Sequence, residues 1–111
     1  MFLCLAMPQA RGMHRSVNLV EGEELQLHCE PWGNPKPNVS WTRDSGPLNY
    51  SDPRIRLSDN NESLTIESTV KEDRDYYYCI VTSFINETEF QGNKSTLVRV
   101  KGVFIYSLCH H

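Results

Sequence analysis

Residues 73–79 read Asp73-Arg74-Asp75-Tyr76-Tyr77-Tyr78-Cys79, and this stretch decides the fold when it is joined to two residues far upstream. Tyr77 stands two residues before Cys79, and Trp41 stands 38 residues before the same cysteine. Cys29 stands 50 residues before Cys79 and twelve before Trp41. In a sandwich of two β-sheets, these spacings put the two cysteines on the central strands of facing sheets, so a disulfide can cross the core.

Two aromatic residues of this set have expected roles beside the disulfide. Trp41 is expected to pack its indole against the bridge, and Tyr77 is expected to bond through its hydroxyl to the backbone near the entry of its strand. Closing a loop of this length stabilises a fold by about 4 kcal/mol in the chain-entropy model. The spacing therefore predicts a covalently linked core with an aromatic residue on each side of it.

The rest of the chain consists of short runs in which apolar and polar side chains alternate. Glycine, proline, asparagine, aspartate or serine bounds each run, and turn signals recur about every 8–12 residues, which is typical of an all-β sandwich. Residues 69–74 are expected to form one short turn, and no stretch carries an apolar stripe of helical period. The runs cover residues 17–20, 25–29, 39–42, 55–57, 64–66, 77–81 and 98–100.

Six short motifs follow one another along the chain and together carry a family resemblance. They are Gly22, Leu27-His28-Cys29, Gly33-Asn34-Pro35-Lys36-Pro37, Val39-Ser40-Trp41, Leu64-Thr65-Ile66 and residues 73–79. In this order and at these spacings they resemble the immunoglobulin superfamily over residues 14–101. The resemblance implies an immunoglobulin-like β-sandwich of two antiparallel sheets with Greek-key connections. The short separation of Trp41 and Cys79 leaves no room for the extra hairpin of a variable-type domain, so the I-set type is expected.

The resemblance also implies a salt bridge, and the chain departs from the family pattern at one position. The family position of Asp73 usually pairs with an arginine at the start of strand D, which implies Arg54 as its partner. The family usually has glycine or alanine in place of Asp75, so a left-handed backbone is expected there, which aspartate tolerates better than most residues. Residues 21–23, 54–58, 72–74 and 96–101 resemble the membrane-proximal domain of the basigin and neuroplastin group. A transmembrane helix that escorts transporters follows the domain in that group, and the chain departs from the pattern after Lys101.

The two ends of the chain are expected to lie outside the domain. Residues 1–13 show no strand or helix pattern, and their apolar run favours a clipped or degenerate signal or leader segment, with an artefactual or alternatively spliced start as the alternative. Residues 102–111 are expected to be a short non-domain tail, either a truncated membrane-proximal segment or a frame change. Cys4 and Cys109 lie in these ends, and their role stays open.

Composition and charge argue against several classes of function. The 111 residues suffice for one domain, and a net charge of −3 without a basic cluster argues against a nucleic-acid partner. No apolar run reaches the roughly 18 residues of a membrane span, so no direct membrane insertion by this chain is expected. No C-x-x-C pair and no set of nucleophile, base and orienting acid occurs, so we expect neither a metal, nor a cofactor, nor an enzyme.

Five Asn-x-Ser/Thr acceptors predict N-linked glycans and passage through the secretory pathway. Together with the disulfide pattern they predict an extracellular location, either at the cell surface in a parent protein or as a secreted form. Four of them are expected in or beside the B–C, D–E and F–G loops, which share one end of an immunoglobulin sandwich. The acceptors are Asn38, Asn49, Asn61, Asn86 and Asn93, and Asn49 is the one expected elsewhere.

Glycans at one end would leave the sheet faces available for a partner. The sheet of strands C, F and G is expected to present four side chains outward, and tyrosine and arginine are favoured at binding centres. We therefore predict that a protein, either a different protein or a second copy of this domain, docks on this face. Trp32 is expected in the B–C loop and at least partly exposed. The four outward residues are Thr42, Tyr78, Ile80 and Arg99.

The sequence is consistent with three hypotheses about function. The leading hypothesis is an extracellular domain of a cell-surface adhesion or receptor protein that binds another protein through a sheet face. The second is a secreted domain that acts as a decoy or humoral binding factor, and the third is a structural spacer. The sequence does not name the partner.

Overall fold

The computed structural model describes residues 5–102, and these residues form nine strands and one 3-10 turn. The turn, Lys71–Asp73, falls within the segment where a short turn is predicted. The strands are β1 (Ala6–Arg11), β2 (Ser16–Val20), β3 (Leu25–His28), β4 (Glu30–Asn34), β5 (Asn38–Arg43), β6 (Ile55–Leu57), β7 (Ser63–Ile66), β8 (Asp75–Ile85) and β9 (Thr88–Lys101).

The strands form two layers that face each other across the core. One sheet has the order β2-β9-β8-β5, and the other has the order β3-β7-β6. Strand β4 continues β3 beyond Cys29 and pairs with β1, so the β1–β4 ribbon extends the second layer. All pairs are antiparallel except β2 with β9, which is parallel. The predicted immunoglobulin-like β-sandwich is confirmed.

Strand β1 corrects the prediction that residues 1–13 contain no strand. Ala6–Arg11 pairs antiparallel with β4, and Ala10 is buried in the core. The strand is hard to see in the sequence because its inward residues, Pro8 and Ala10, are not the large or β-branched side chains that mark strands. Gly12 follows with a positive φ of 84°, and the chain then moves across to pair with β9 as β2. Residues 1–4 and 103–111, including Cys4 and Cys109, lie outside the described residues.

The core lies between the layers and is built from inward positions of almost every strand. Residues that alternate along β3, β7, β8 and β9 supply it, because successive side chains of a strand point to opposite faces. Tyr77, Cys29 and Cys79 are fully buried at its centre. The other core residues with 0–1% exposure are Leu25, Leu64, Ile66, Val81 and Val98.

A glycine allows β1 to pack closely against β9. A Cβ atom at Gly92 would lie 2.5 Å from the backbone oxygen of Pro8 and 3.4 Å from the Cα of Gln9. The first of these distances is shorter than any ordinary contact, and the obstacle is backbone, which cannot rotate away. Gly92 is therefore the residue that lets the N-terminal strand dock on the β8–β9 hairpin.

Candidate protein-binding surfaces

The disulfide and Trp41 lie in the core beneath the strands that carry the candidate surfaces. Cys29 and Cys79 are joined, with their Cα atoms 6.4 Å apart. Trp41 lies opposite Cys79 in the β5–β8 register and is 5% exposed. Its indole Nε1 donates a hydrogen bond of 2.7 Å to the backbone oxygen of Asn61. This bond ties the core to the β6–β7 loop, and it was not part of the sequence prediction.

Tyr77 makes the backward hydrogen bond that its position suggests. Its hydroxyl donates to the backbone oxygen of Asp73 at 2.5 Å, and the side chain is fully buried. Burial, with the nearby charge of Asp73 as a further cause, raises the pKa of Tyr77 to about 12. The phenol therefore stays protonated and keeps donating through the physiological range.

Arg54 binds two carboxylates. Its Nη1 lies 2.9 Å from Oδ2 of Asp73, and its Nη2 lies 3.0 Å from Oδ2 of Asp52. Asp73 also accepts a 2.8 Å bond from the backbone N–H of Val70 and is 5% exposed. The hydrogen bonds from Arg54 lower the pKa of Asp52. The family resemblance implies Asp73 as a partner of Arg54, whereas the contact with Asp52 is shown only by the structure.

The expectation of a left-handed backbone at Asp75 is wrong. Among residues 5–102, the non-glycine residues with positive φ are Asn61, Ser68, Asn86 and Glu87. Asp75 instead begins β8, and its carboxylate accepts bonds from the hydroxyl of Ser45 (2.5 Å) and the backbone N–H of Tyr76 (2.7 Å). Burial opposes ionisation of Asp75, but these hydrogen bonds outweigh it and lower the pKa.

Three of the four predicted partner-binding residues lie together. Thr42 is directly opposite Tyr78, and Ile80 is the next residue on the same side of β8. The phenol of Tyr78 lies 3.4 Å from Oδ1 of Asp44. We call the outer surface around Thr42, Tyr78 and Ile80 the β8 face.

Arg99 does not join the β8 face. It pairs with Asn18 of β2, and its neighbour Val98 pairs with Asp75, the first residue of β8. Ser95, which is opposite Tyr78, precedes Arg99 by four residues, or about 13 Å at the usual rise of a strand. Arg99 therefore lies near the far end of the sheet.

The position of Asn93 differs from the sequence prediction. The β8–β9 hairpin stays paired as far as Ile85 and Thr88, so its turn is only Asn86-Glu87, both with positive φ. This is the backbone that a two-residue turn of type I′ requires. Asn93 is therefore not in a loop at the end of the sandwich. It lies within β9, directly opposite Ile80 of the β8 face.

The other acceptors are spread over the first sheet and the connections of both layers. Asn38 begins β5 and pairs with Thr82, so it shares the side of the sheet that carries the β8 face. Asn61 lies in the β6–β7 loop, Asn86 in the hairpin turn and Asn49 between β5 and β6. Glycans at Asn38 and Asn93 would thus border or cover the very face that the sequence analysis assigned to a partner.

Trp32 lies in a strand, not in the predicted B–C loop. It belongs to β4, pairs with Gln9 of β1 and is 50% exposed. The guanidinium carbon of Arg11 lies 4.2 Å from the centre of the indole ring. Arg11 in turn donates two hydrogen bonds, of 3.1 and 2.8 Å, to Oε1 of Gln9. The sequence could not show this cluster because half of it comes from the unpredicted β1.

A shallow groove of about 310 Å³ lies where the β1–β2 crossover passes β3 and β7. Its lining is mixed, with Met13 and Leu27 beside His14, Gln26, His28 and Ser63, and Nδ1 of His28 lies 2.9 Å from Oγ of Ser63. Among residues 5–102, no three histidine, cysteine, aspartate or glutamate side chains are arranged to hold a metal ion. Within the same residues, no helix is both long and apolar enough to cross a bilayer.

Comparison with protein families gives a match over most of the chain. A family model described as an immunoglobulin domain matches residues 8–83. Roundabout homolog 4 of Mus musculus is 38% identical over 84 residues, which is 75% of this chain and 8% of that protein. Neural cell adhesion molecule L1 of Takifugu rubripes is 40% identical over 62 residues, which is 56% of this chain and 5% of that protein. The chain thus spans only a small part of the length of these relatives.

Solved structures share the same arrangement of strands. The tandem Ig repeats of Dlar match with a TM-score of 0.70 and 26% identity, over 88% of this chain and 50% of that chain. The titin M3 domain matches with a TM-score of 0.70 and 22% identity, over 86% of this chain and 98% of that chain.

Proposed function

Because this chain belongs to the immunoglobulin-domain family, we propose that it is an extracellular domain of a cell-surface adhesion or receptor protein and binds another protein through a sheet face. Its family and its relatives identify it as a non-enzymatic domain. One of the relatives that match it is a neural cell adhesion molecule by name. The proposed role follows from this kinship and from the exposed aromatic side chains on both layers.

Extracellular location is supported by the chemistry of the chain. The Cys29–Cys79 bridge crosses the core, and bonds of this kind persist in oxidising compartments. Five Asn-x-Ser/Thr acceptors occur in the same domain, and glycosylation at such sites takes place in the secretory pathway. We expect at least one of the acceptors to carry a glycan in material secreted by animal cells.

The observation that carries the proposed binding surface is the row of Thr42, Tyr78 and Ser95. The three residues lie in register on β5, β8 and β9, so they form a continuous strip across three strands. Ile80 extends the strip, and Tyr78 offers both ring area and a hydroxyl to a partner. Asn93 is in register with Ile80, so a glycan there would occupy the same space as a partner. The proposal therefore requires Asn93 to be unmodified in the binding form.

The test uses the soluble chain as a probe against a library of displayed cell-surface proteins, followed by affinity measurement with each partner found. Tyr78→Ser combined with Ile80→Ser should reduce binding by about tenfold or more, because truncation of a central aromatic residue commonly costs over 1 kcal/mol. Phe84→Ser is the matched control, since Phe84 is 61% exposed on the distal part of the hairpin. Binding that survives the double substitution and is lost with Phe84→Ser would place the site on the distal hairpin and contradict the choice of the surface around Tyr78.

Glycan occupancy gives a second measurement on the same surface. Asn93→Gln should increase binding by secreted, glycosylated protein, whereas Asn86→Gln in the hairpin turn should leave it unchanged. Equal binding by the unmodified protein and the Asn93→Gln variant, with a glycan shown at Asn93 by mass spectrometry, would contradict the proposed face. A companion aggregation assay with the membrane-tethered chain distinguishes adhesion from a soluble binding role.

A further inference from the structure

We propose that the outer surface of the β1–β4 ribbon is a self-docking site that takes a second copy of this chain. Gln9 and Arg11 of β1 form this surface together with Glu30 and Trp32 of β4. It lies on the opposite layer from the β8 face, so it is a second surface that goes beyond the function proposed above.

An exposed aromatic side chain is fixed in position at the centre of the ribbon. Trp32 keeps half of its surface exposed although it lies within a paired strand. Arg11 stacks 4.2 Å from its ring centre, and the two bonds to Gln9 fix the guanidinium in that position. The cluster is therefore ordered before a partner arrives, which lowers the entropic cost of binding. Tryptophan and arginine are also the residues most enriched among those that dominate binding energy.

The charges on the ribbon complement each other under a two-fold axis. Arg11 and Glu30 are directly opposite in the β1–β4 register. They do not pair with each other, and within residues 5–102 Glu30 takes part in no ion pair. An axis that runs between β1 and β4, parallel to the strands, lays Arg11 of each copy over Glu30 of the other. Such an interface is isologous, so each contact occurs twice.

The same axis also brings the aromatic residues to complementary positions. Gln9 and Trp32 are opposite in register, so Trp32 of each copy would lie over Gln9 of the other. The interface would thus contain two buried indole rings beside two pairs of opposite charges. This pattern is self-complementary, and it identifies a second copy as the occupant better than a partner of one dominant charge.

The N-linked acceptors lie outside the two strands of the ribbon. None of the acceptors Asn38, Asn49, Asn61, Asn86 and Asn93 lies in β1, β3, β4, β6 or β7. Asn34 lies in β4 but is not an acceptor, because Pro35 follows it and Lys36 stands where an acceptor needs serine or threonine. The sheet that carries the β8 face has acceptors in two of its strands, β5 and β9, and of these Asn93 borders Gln9 at the edge of the ribbon.

The test is charge reversal with complementation in the full chain, followed by sedimentation equilibrium. The unmodified protein should dimerise. Arg11→Glu and Glu30→Arg should each weaken self-association by about tenfold or more, because each reversal creates two like-charge contacts per dimer. An equimolar mixture of the two variants should form a heterodimer and recover most of the affinity. Trp32→Ser should also weaken the dimer, and mixing this variant with a charge-reversal variant should not restore the affinity.

Matched controls separate this surface from general charge effects and from the β8 face. Arg74→Glu and Glu72→Arg make the same charge changes at exposed positions of the 3-10 turn, and they should leave the dimer unchanged. The Tyr78→Ser and Ile80→Ser double variant should also dimerise as the unmodified protein does, even if it loses a different partner. An unmodified protein that stays monomeric at near-millimolar concentration would overturn the proposal. The proposal would also be wrong if the mixture of Arg11→Glu and Glu30→Arg associated no more tightly than either variant alone. Circular dichroism verifies that every variant is folded.

Discussion

Substitution of Tyr77 by phenylalanine removes one hydroxyl from the centre of the fold and changes nothing else in shape. The hydroxyl donates to the backbone oxygen of Asp73 at 2.5 Å, and the tyrosine is fully buried. Asp73 is itself 5% exposed, so water reaches its backbone poorly when the hydroxyl is gone. The net loss of a hydrogen bond costs about 0.5–1.5 kcal/mol, and an acceptor that stays unsatisfied raises the cost to about 3 kcal/mol. We expect Tyr77→Phe to destabilise the domain by about 1–3 kcal/mol.

The two neighbouring tyrosines provide controls with the same chemical change. Tyr76 is 46% exposed, and the hydroxyl of Tyr78 makes only a long contact of 3.4 Å with Asp44. Their replacement by phenylalanine should change the free energy of unfolding by less than about 0.5 kcal/mol. Urea denaturation with the disulfide intact, followed by tryptophan fluorescence, measures all three variants. In a thermal scan, we expect the melting temperature to fall by about 4–8 °C for each kcal/mol of unfolding free energy that is lost.

A pH series tests the same hydroxyl independently. Burial raises the pKa of Tyr77 to about 12 in the folded chain, from an ordinary value of 10.0. A folded pKa above the unfolded one means that the contribution is fully present below pH 10 and is lost as the pH rises towards 12. The stability difference between the unmodified protein and Tyr77→Phe should therefore shrink above pH 10. Equal urea midpoints for the phenylalanine variants of Tyr76, Tyr77 and Tyr78 at pH 7 would refute the reasoning.

Three further predictions concern other parts of the structure. Gly92→Ala should release β1 from the hairpin, seen as faster amide exchange in residues 6–11, and exchange at the unmodified rate would contradict the close contact. In single-tryptophan variants, acrylamide should quench Trp32 strongly and Trp41 weakly, and equal quenching would contradict their different burial. Asp52→Asn should destabilise the domain at pH 7, and this difference should shrink as the pH falls below the ordinary pKa of aspartate, since Arg54 lowers the pKa of Asp52 and the contribution is lost as the pH falls through that lowered value. A stability difference that does not change with pH would argue against that ion pair.

The central part of the fold could be predicted because its signals are residue types at separations that can be counted along the chain. Trp41, Tyr77 and the two cysteines each depend on strand alternation and on separations that can be counted in the sequence. The immunoglobulin-like sandwich followed from these, and the family match confirms it. The structure also brings Arg54 to Asp73, as the family resemblance implies.

The candidate surfaces depended on pairings that the sequence does not show. Trp32 was placed in a loop because its partner strand, β1, contains Pro8 and small residues and carries no strong strand signal. Asn93 was placed near a loop because the apolar residues before it did not reveal how far the hairpin stays paired. Both errors concern which backbone lies beside which, and this depends on contacts between distant residues.

The sequence by itself determined the class of fold, the central residues of the core and the absence of catalytic motifs. Those properties follow from side-chain type and local period, because burial of alternate residues is a local requirement of a strand in a sandwich. The tertiary structure alone decided which polar and aromatic side chains meet on the outside. Arg11 reaches Trp32 through the pairing of β1 with β4, and Asn93 faces Ile80 through the register of the β8–β9 hairpin. The register of β1 on β4 depends on which faces are buried in the sandwich, and that of the hairpin depends on the exact length of its turn, so apolar alternation alone did not reveal these surfaces.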